Sequence, residues 1–467
     1  MKSNINRRAF LGTAGAFVAG SLMASPLARK AFQQGKKIKV VLVGTGIRGT
    51  SFWGRTLVKN YSDLLEFVGL CDINPGRLDF ALKYMGVSCP TYTNFEQMIN
   101  ESKPDLVIVT TKDSTHHEFI IKGLKMGCDV LTEKPLTTDE DKCQDILDAE
   151  RQYGRKLIVG FNYRWGPYPT KIKELLQAGA IGKVTSVDFH WYLNTYHGAS
   201  YFRRWHGLRE AGGTLWVHKS THHFDLLNWW LDSDPHEVFA YGDLEHYGSN
   251  GPFRGKNCRS CDYKESCKFY WDITRDRRSM ELYVNNEHHD GYIRDSCLFR
   301  PEINIYDKMS AQIKYRDNTV VNYSLTTYSP YEGWKIAFNG TEGRIDAWLD
   351  IPFMNKENIS QSDMHALEMS QEDSNMQSEP LILHNVWNKP ETINVKFQKG
   401  GHGGGDVLLH NQIFRTPDKE DAFNRPAGVR DGAMSVLIGI AARKSIESGF
   451  PVRIAELTDL QPRVRRI

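Results

Sequence analysis

A glycine-rich turn near the start of the chain constrains the fold more than any other feature of the sequence. The apolar run at 37–44 predicts a β-strand, and it leads into Gly-Thr-Gly-Ile-Arg-Gly at 44–49, ahead of a helix-compatible stretch. Such a turn needs glycine for its tight bend at Gly44, for close approach of a pyrophosphate at Gly46, and for helix packing at Gly49. The pattern therefore predicts a dinucleotide-binding site. Its predicted contacts are Gly44, Gly46, Ile47, Arg48 and Gly49.

A carboxylate follows the next predicted strand. The apolar run at 64–71 ends at Asp72, which lies 28 residues after Gly44. An acidic side chain at this strand tip accepts hydrogen bonds from the ribose hydroxyls of NAD and repels the 2′-phosphate of NADP. Asp72 therefore favours NAD as the cofactor, and the nearby Arg77 keeps NADP as the less favoured alternative.

The first third of the chain alternates predicted strands with predicted helices. Further strands are predicted at 106–110 and 129–132, after helical stretches at 94–101 and 118–125. This alternation predicts a parallel sheet covered by helices. Later in the chain, apolar and polar residues alternate at 308–315 and 319–328, as expected of antiparallel strands.

Composition excludes several classes of protein. The chain has 467 residues, of which 40% are hydrophobic and 25% charged, as is typical of folded domains. Lysine and arginine (59) nearly balance aspartate and glutamate (56), so the formal charge is only +3. This balance predicts no nucleic-acid partner and favours a small molecule as the ligand.

Residues 1–34 predict an export signal. Arg7-Arg8 precede Phe10-Leu11 and an apolar stretch at 11–24 that is too short to span a bilayer comfortably. The paired arginines resemble a twin-arginine signal, which sends folded proteins to the periplasm, and an ordinary secretory signal is the alternative. No later stretch predicts an integral membrane segment in the mature chain.

Several short motifs occur in an order that is typical of one enzyme family. Glu-Lys-Pro stands at 133–135, and Thr-Lys-Asp-Ser-Thr-His stands at 111–116, where the family has Thr-Pro-Asn-x-x-His. Phe-Asn-Tyr-Arg at 161–164 and Ala-Gly-Gly-Thr-Leu at 211–215 also match the family pattern. The chain thus resembles the glucose-fructose oxidoreductase, inositol dehydrogenase and MocA family (Gfo/Idh/MocA) over most of its mature length.

This resemblance implies an α/β fold with two domains. The first is a Rossmann NAD(P)-binding domain at 36–155. The second, at 156–467, is an α+β substrate domain with an open, mostly antiparallel sheet, a cysteine-rich insertion near 250–300, and a homo-oligomer contact through the sheet. The resemblance places Lys134 beside the nicotinamide and the reacting hydroxyl. Further implied cofactor contacts are Thr111, His116 and Glu133, and implied substrate contacts are Tyr163, Arg164 and Asp225.

Two histidines supply the predicted acid–base chemistry. His218 and His222 are four residues apart, so on one helix they share a face and point into the same cleft. His222 stands where the family usually has a histidine, whereas His218 stands where many members have an aspartate. Lys219 adds a cation that binds a sugar oxygen or depresses an imidazole pKa. Which histidine is the base stays open, and so do a metal pair and a purely substrate-holding role.

Four cysteines form a separate candidate site. Cys258, Cys261 and Cys267 are closely spaced, and Cys297 follows farther along. Such spacing suits a structural zinc ion or an iron–sulfur cluster, whereas disulfides are the alternative in an exported protein.

The sequence therefore predicts an enzyme. The first expectation is hydride transfer between NAD(P) and a hydroxyl of a sugar or glycoside, with the cofactor tightly bound because an exported enzyme meets little soluble NAD. The second is redox-neutral glycoside hydrolysis through a transient keto-sugar. The third is a non-catalytic sugar-binding protein, which the intact glycine turn and Lys134 argue against.

Overall fold

The structure is a computed structural model. It describes residues 36–350, 376–398 and 402–466. The predicted export signal at 1–34 lies outside the described residues. Within them, no helix is long and apolar enough to cross a membrane.

Six strands form a parallel sheet in the first part of the described chain. Their spatial order is β3-β2-β1-β4-β5-β6. The strands are β1 Ile38–Val43, β2 Leu65–Cys71, β3 Thr91–Tyr92, β4 Leu106–Val109, β5 Asp129–Thr132 and β6 Leu157–Val159. The helices between them are α1 Thr56–Tyr61, α2 Pro75–Met85, α3 Phe95–Ser102, α4 His116–Lys125 and α5 Glu140–Tyr153. The parallel sheet predicted from the alternation is confirmed.

Local sequence explains where these elements begin and end. All four residues of β4 and of β5 are buried, as expected for central strands of a sheet covered on both faces. Helix α2 begins after Asn74, whose side chain accepts a hydrogen bond from Arg77 N, and it ends at Gly86 with φ of 73°. Strand β6 lies beyond the predicted domain boundary at residue 155 and belongs to the first sheet.

The second part of the described chain contains a nine-stranded sheet. Its order is β14-β13-β12-β11-β7-β10-β9-β8-β15, and all neighbours are antiparallel except β7 and β10. The strands are β7 Val184–Asn194, β8 Pro235–Asp243, β9 Lys308–Tyr315, β10 Val320–Ser329, β11 Gly333–Gly340, β12 Gly343–Leu349, β13 Met376–Asn385, β14 Glu391–Gln398 and β15 Val452–Arg453. The mostly antiparallel sheet is thus confirmed.

Helices cover this second sheet and join it to the first. They are α6 Pro167–Gln177, α7 Thr195–Arg203, α8 Arg209–Gly212, α9 Leu215–His218, α10 Ser220–Leu231, α11 Arg277–Leu282, α12 Glu287–Asp290, α13 Gly405–His410 and α14 Val429–Ser448. Helix α14 packs against β8 and α10, and the segment before it bonds to β6 through Val159 N and Ala427 O at 3.0 Å. One buried apolar core therefore runs through both parts.

The segment that carries both candidate histidines differs from the prediction of one continuous helix. Helix α9 ends at His218 and α10 begins at Ser220, so the two histidines lie on separate helices. Gly213 (φ 69°) and Thr214 (φ 79°) have positive φ and separate α8 from α9, whereas α9 and α10 meet at Lys219 (φ −95°). The break after His218 is therefore one residue long and has helical backbone angles, so the four-residue spacing could not indicate it.

Candidate functional site

A single large cavity contains most of the predicted site residues. Its volume is about 1400 Å³, and it is lined both by loops at the carboxyl ends of the first sheet and by helices of the second part. Gly44, Gly46, Ile47, Arg48 and Asp72 lie along one side. The other predicted residues that line the cavity are Thr111, His116, Glu133, Lys134, Tyr163, His218, Lys219 and His222. The dinucleotide motif and the candidate catalytic groups therefore share one cleft.

The glycine turn has the geometry of a phosphate cradle. Gly44 has φ of 89°, and a Cβ at Gly49 would lie 2.3 Å from Gly44 O and 2.5 Å from Thr110 Oγ1, so packing requires glycine there. At Gly46 a Cβ would meet only Tyr283 Oη, at 3.6 Å. The backbone at Gly46 is therefore open to the cavity, and the turn fits the pyrophosphate of a dinucleotide.

The carboxylate of Asp72 is fixed at the tip of β2. Its Oδ2 accepts hydrogen bonds from Thr45 N (2.8 Å) and Thr45 Oγ1 (3.0 Å), and its Oδ1 accepts one from Asn74 N (2.9 Å). Arg77 lies between two carboxylates, with Nη2 3.0 Å from Asp72 Oδ1 and 2.5 Å from Asp290 Oδ2. A carboxylate at this strand tip and an arginine paired with two carboxylates fit NAD better than NADP.

Glu133 and His116 hold together the loops of the cavity wall next to Lys134. Glu133 Oε1 accepts hydrogen bonds from Arg48 Nε (2.6 Å) and Trp53 Nε1 (2.7 Å). Burial acts to raise the pKa of Glu133, but Arg48 and the neighbouring Lys134 outweigh it and hold this pKa below its ordinary value. The His116 ring bridges Pro135 O (2.7 Å) and Thr111 O (3.2 Å), so it joins two loops of the cavity wall.

Lys134 reaches across the cleft to the second part of the chain. Its Nζ donates a hydrogen bond to His218 O at 3.0 Å. Burial lowers the pKa of Lys134 to about 8, against the opposing effect of Asp113 and Glu133. The ammonium group therefore lies beside His218 and loses its proton more readily than an exposed lysine.

His218 forms a buried pair with Asp113. The distance between His218 Nδ1 and Asp113 Oδ2 is 2.6 Å. Burial lowers the pKa of His218 well below its ordinary value and raises the pKa of Asp113 well above its own. When the carboxyl group is ionised, Nδ1–H donates to it and leaves Nε2 as the nitrogen that can accept a proton. This arrangement defines His218 as the candidate base.

His222, Lys219 and Tyr163 form a second group in the same cavity. The His222 ring stacks on Tyr163 with centroids 4.3 Å apart, and Lys219 Nζ donates to Tyr163 Oη at 3.3 Å. Burial, Lys134 and Lys219 lower the pKa of His222 well below its ordinary value. A neutral imidazole, a phenol and an ammonium group together suit the recognition of hydroxyl groups.

The structure does not bring Arg164 and Asp225 to the cavity. Arg164 donates to Asp225 Oδ2 through Nε at 2.6 Å, and its Nη2 also contacts Asp431 at 3.0 Å. The side chains of Arg164 and Asp225 are each only 1% exposed. The predicted substrate contacts at these two positions are therefore corrected to a buried ion pair that joins α10 to α14.

The four cysteines of the predicted site are free thiols in the structure. Arg203 Nη1 contacts Cys258 Sγ at 2.9 Å. Among the residues that the structure describes, no three His, Cys, Asp or Glu side chains are grouped to hold a metal ion. Cys258, Cys261, Cys267 and Cys297 all lie in the insertion between β8 and β9, where burial and the nearby Cys258 and Cys261 raise the pKa of the Cys267 thiol.

Sequence reasoning missed Asp113 and the groups around His218. The His206 ring lies 4.1 Å from that of His218, the Tyr201 ring lies 5.3 Å away, and Arg204 also lines the cavity. A signal for Asp113 was present, because it replaces the family's asparagine just as His218 replaces the aspartate. The two departures are partners in space.

Fold and site together define a dinucleotide-binding oxidoreductase of α/β architecture. The sequence matches the oxidoreductase family with an NAD-binding Rossmann fold over residues 38–161, and that family's C-terminal alpha/beta domain over residues 173–454. The chain belongs to the Gfo/Idh/MocA family.

Curated relatives agree with this membership. A Bacillus subtilis (strain 168) protein named "Putative oxidoreductase YteT" is 36% identical over 443 residues, covering 90% of this chain and 99% of the relative. An inositol 2-dehydrogenase/D-chiro-inositol 3-dehydrogenase of Lactiplantibacillus plantarum is 32% identical over 158 residues, which is 34% of this chain and 45% of that enzyme.

A solved structure shares the fold at low sequence identity. An oxidoreductase from Agrobacterium radiobacter, in complex with NAD+, L-tartaric acid and magnesium, aligns with a TM-score of 0.60 at 14% identity. The alignment covers 90% of this chain and 100% of that one.

Proposed function

We propose that this protein oxidises a secondary hydroxyl group on a polyhydroxylated ring, such as a sugar, a glycoside or an inositol, with NAD as the cofactor. The observation that carries the proposal is the Asp113–His218 pair, 2.6 Å apart, next to Lys134 in the cavity that also contains the glycine turn. Family membership and an inositol dehydrogenase among the relatives support the substrate class.

The residues divide the chemistry between them. Nε2 of His218 takes the proton of the substrate hydroxyl while Asp113 orients the ring and stabilises the imidazolium. The ammonium group of Lys134 donates a hydrogen bond to the oxygen as negative charge develops on it. Lys219, His222 and Tyr163 hold neighbouring hydroxyl groups. NAD, held by the turn at 44–49 and by Asp72, supplies the hydride acceptor when bound.

Two further expectations become part of this proposal. Export to the periplasm rests on the sequence pattern at 1–34 alone, and association through the C-terminal sheet rests on the family resemblance. Retention of NAD would suit an exported enzyme, since its cofactor would not need to exchange between turnovers.

The test is a product analysis of the purified full-length protein with NAD. Sugars, inositols and aryl glycosides are supplied singly, and reduced nicotinamide, keto-products and released aglycone are measured. A keto-product with reduced nicotinamide supports the proposal. Release of aglycone with no net reduced nicotinamide would replace it with the redox-neutral hydrolase, and a lack of any product from all classes would contradict it.

A further inference from the structure

The cavity has a wall that the glycine turn and the catalytic groups do not supply. Strands β8 and β9 are antiparallel neighbours, yet residues 244–307 are inserted between them. Within this insertion, residues 277–294, here called the clamp segment, contain α11 and α12. Tyr283, Asp290 and Arg294 of the clamp segment line the same cavity as the glycine turn.

The clamp segment touches the first domain at both ends of the nucleotide site. Tyr283 Oη accepts a hydrogen bond from Ile47 N of the glycine turn at 2.9 Å. At the other end, Asp290 Oδ2 lies 2.5 Å from Arg77 Nη2, and this arginine also contacts Asp72. The contacts therefore span from the pyrophosphate position to the ribose position.

A third contact lies between these two ends. Asn74 Nδ2 donates a hydrogen bond to Asn286 O at 2.8 Å. Next to it, a Cβ on Gly76 would lie only 1.9 Å from Asn286 Oδ1, so a residue without a side chain allows this close approach. The fit between helix α2 and the clamp segment is thus specific along its length.

Contacts within the insertion also hold the clamp segment in place. Arg259 of the insertion pairs with Glu287 at 2.8 Å and with Asp295 at 3.1 Å. Asn286 Nδ2 donates to Glu281 O at 2.8 Å, which closes the turn between the two short helices. These contacts therefore fix the positions of Tyr283 and Asp290.

The surroundings of Tyr283 suit an anion. The Arg294 guanidinium lies over the Tyr283 ring, 4.9 Å from its centroid, and Arg294 Nε is buried without a hydrogen-bond partner among the described residues. Because Tyr283 Oη accepts from Ile47 N, its own proton is left for donation to a phosphate oxygen. A positive charge beside a donor hydroxyl complements a pyrophosphate.

We propose that the clamp segment is part of the dinucleotide site and retains the cofactor, with Tyr283 binding the pyrophosphate and Asp290 fixing the ribose end through Arg77. This inference rests on the proposed use of NAD. Its consequence is slow exchange of the cofactor, because NAD leaves only when contacts at both ends of the nucleotide are broken.

The test measures NAD release rather than turnover. Full-length protein is loaded with NAD, and the rate of release into an excess of a trapping analogue is followed for the wild type, Tyr283→Phe, Asp290→Asn and the control Tyr263→Phe. Tyr263 lies in the same insertion but stacks on Phe253, with centroids 4.7 Å apart, outside the cavity lining. Thermal unfolding of each variant checks that it is folded.

The expected result is release about tenfold faster from Tyr283→Phe and from Asp290→Asn, as loss of a hydrogen bond to a charged group predicts, with Tyr263→Phe unchanged. Release from folded Tyr283→Phe at the wild-type rate would overturn the clamp. An equal acceleration in Tyr263→Phe would overturn it too. A wild-type protein that binds no dinucleotide would instead contradict the proposed function.

Discussion

His218 and Asp113 both differ from the residues that the family pattern has at their positions. Many members of the family have asparagine where this chain has Asp113 and aspartate where it has His218. Here the carboxylate lies on the loop after β4 and the imidazole lies at the end of α9, 2.6 Å apart. The pair therefore replaces an asparagine and an aspartate with a carboxylate and an imidazole, and in the proposed function the carboxylate orients the imidazole as the proton acceptor.

This exchange predicts how substitutions at the pair combine. His218→Asn should lower kcat about 10²–10⁴-fold, the usual contribution of a general base, without loss of bound NAD. Asp113→Asn should also lower kcat, because the imidazole loses its orienting partner. The double variant Asp113→Asn/His218→Asp, which restores the family arrangement, should recover part of the rate. Steady-state kinetics at equal NAD occupancy check this, and a double variant no better than either single one would contradict the pairing.

The lowered pKa of Lys134 predicts how kcat changes with pH on the alkaline side. Its pKa is lowered to about 8 by burial, so the ammonium group is present below that pH and is lost above it. Because the protonated form stabilises the developing alkoxide, kcat should fall as the pH rises through about 8. Lys134→Arg, which stays charged, should lose this alkaline decrease even if its kcat is lower.

The acid side of the same profile belongs to the buried pair. Burial raises the pKa of Asp113, so the carboxylate that prepares His218 forms only above the ordinary range of an aspartate. The rate should therefore rise with pH on the acid side. In Asp113→Asn the pH at which the rate rises should change. A rise at the same pH as in the wild type would contradict the assignment.

At the scale of elements, two glycines of the glycine turn differ in what they are needed for. Packing requires Gly49, whereas Gly46 leaves the backbone open to the cavity. Gly49→Ala would place a Cβ 2.3 Å from Gly44 O, and we expect it to destabilise the protein by about 1–3 kcal/mol, as overpacking does. Gly46→Ala meets only Tyr283 Oη at 3.6 Å, so stability should be unchanged while NAD affinity falls about tenfold. Urea unfolding and NAD titration check the two, and equal losses of stability would contradict the distinction.

The strands and helices also show which structural features a sequence pattern can predict. Strand β5 is found at the predicted 129–132, and β9 at the predicted 308–315, because burial on both faces or on alternate faces leaves a direct periodic signal. The break between α9 and α10 left no such signal. It lies at the single residue Lys219, whose φ of −95° stays in the helical region, so no glycine, proline or positive φ marks it in the sequence.

At the scale of the whole molecule, a buried ion pair joins separate parts of the second domain. Arg164 contacts Asp225 of α10 and Asp431 of α14. Asp225→Ala should destabilise the protein by about 3 kcal/mol, since it breaks a buried pair and leaves the Arg164 guanidinium with Asp431 alone. The control Asp459→Ala removes an exposed pair with Arg151 and should change stability little. Urea unfolding measures both, and equal effects would contradict the structural role of Arg164.

The same pair shows why part of the site could not be predicted. Motifs identify residues that contact a cofactor because chemistry fixes their spacing, as at 44–49 and 133–135. Arg164 also lies in a motif, at 161–164, and the resemblance implies a substrate contact at Asp225, yet both residues serve packing. The sequence alone does not separate the two uses. Tyr283, by contrast, contacts the glycine turn but lies in none of the motifs. It lies 236 residues from Ile47, and only the fold brings its hydroxyl group to the glycine turn.

In the proposed function, His218, oriented by Asp113, accepts the proton during hydride transfer to NAD. The most direct test is a single-turnover measurement of reduced nicotinamide in NAD-loaded wild type and His218→Asn at equal cofactor occupancy, with the best substrate from the product screen. We expect rapid formation of reduced nicotinamide in the wild type and a rate at least about 10²-fold lower in the variant. Equal rates in the two proteins would contradict it.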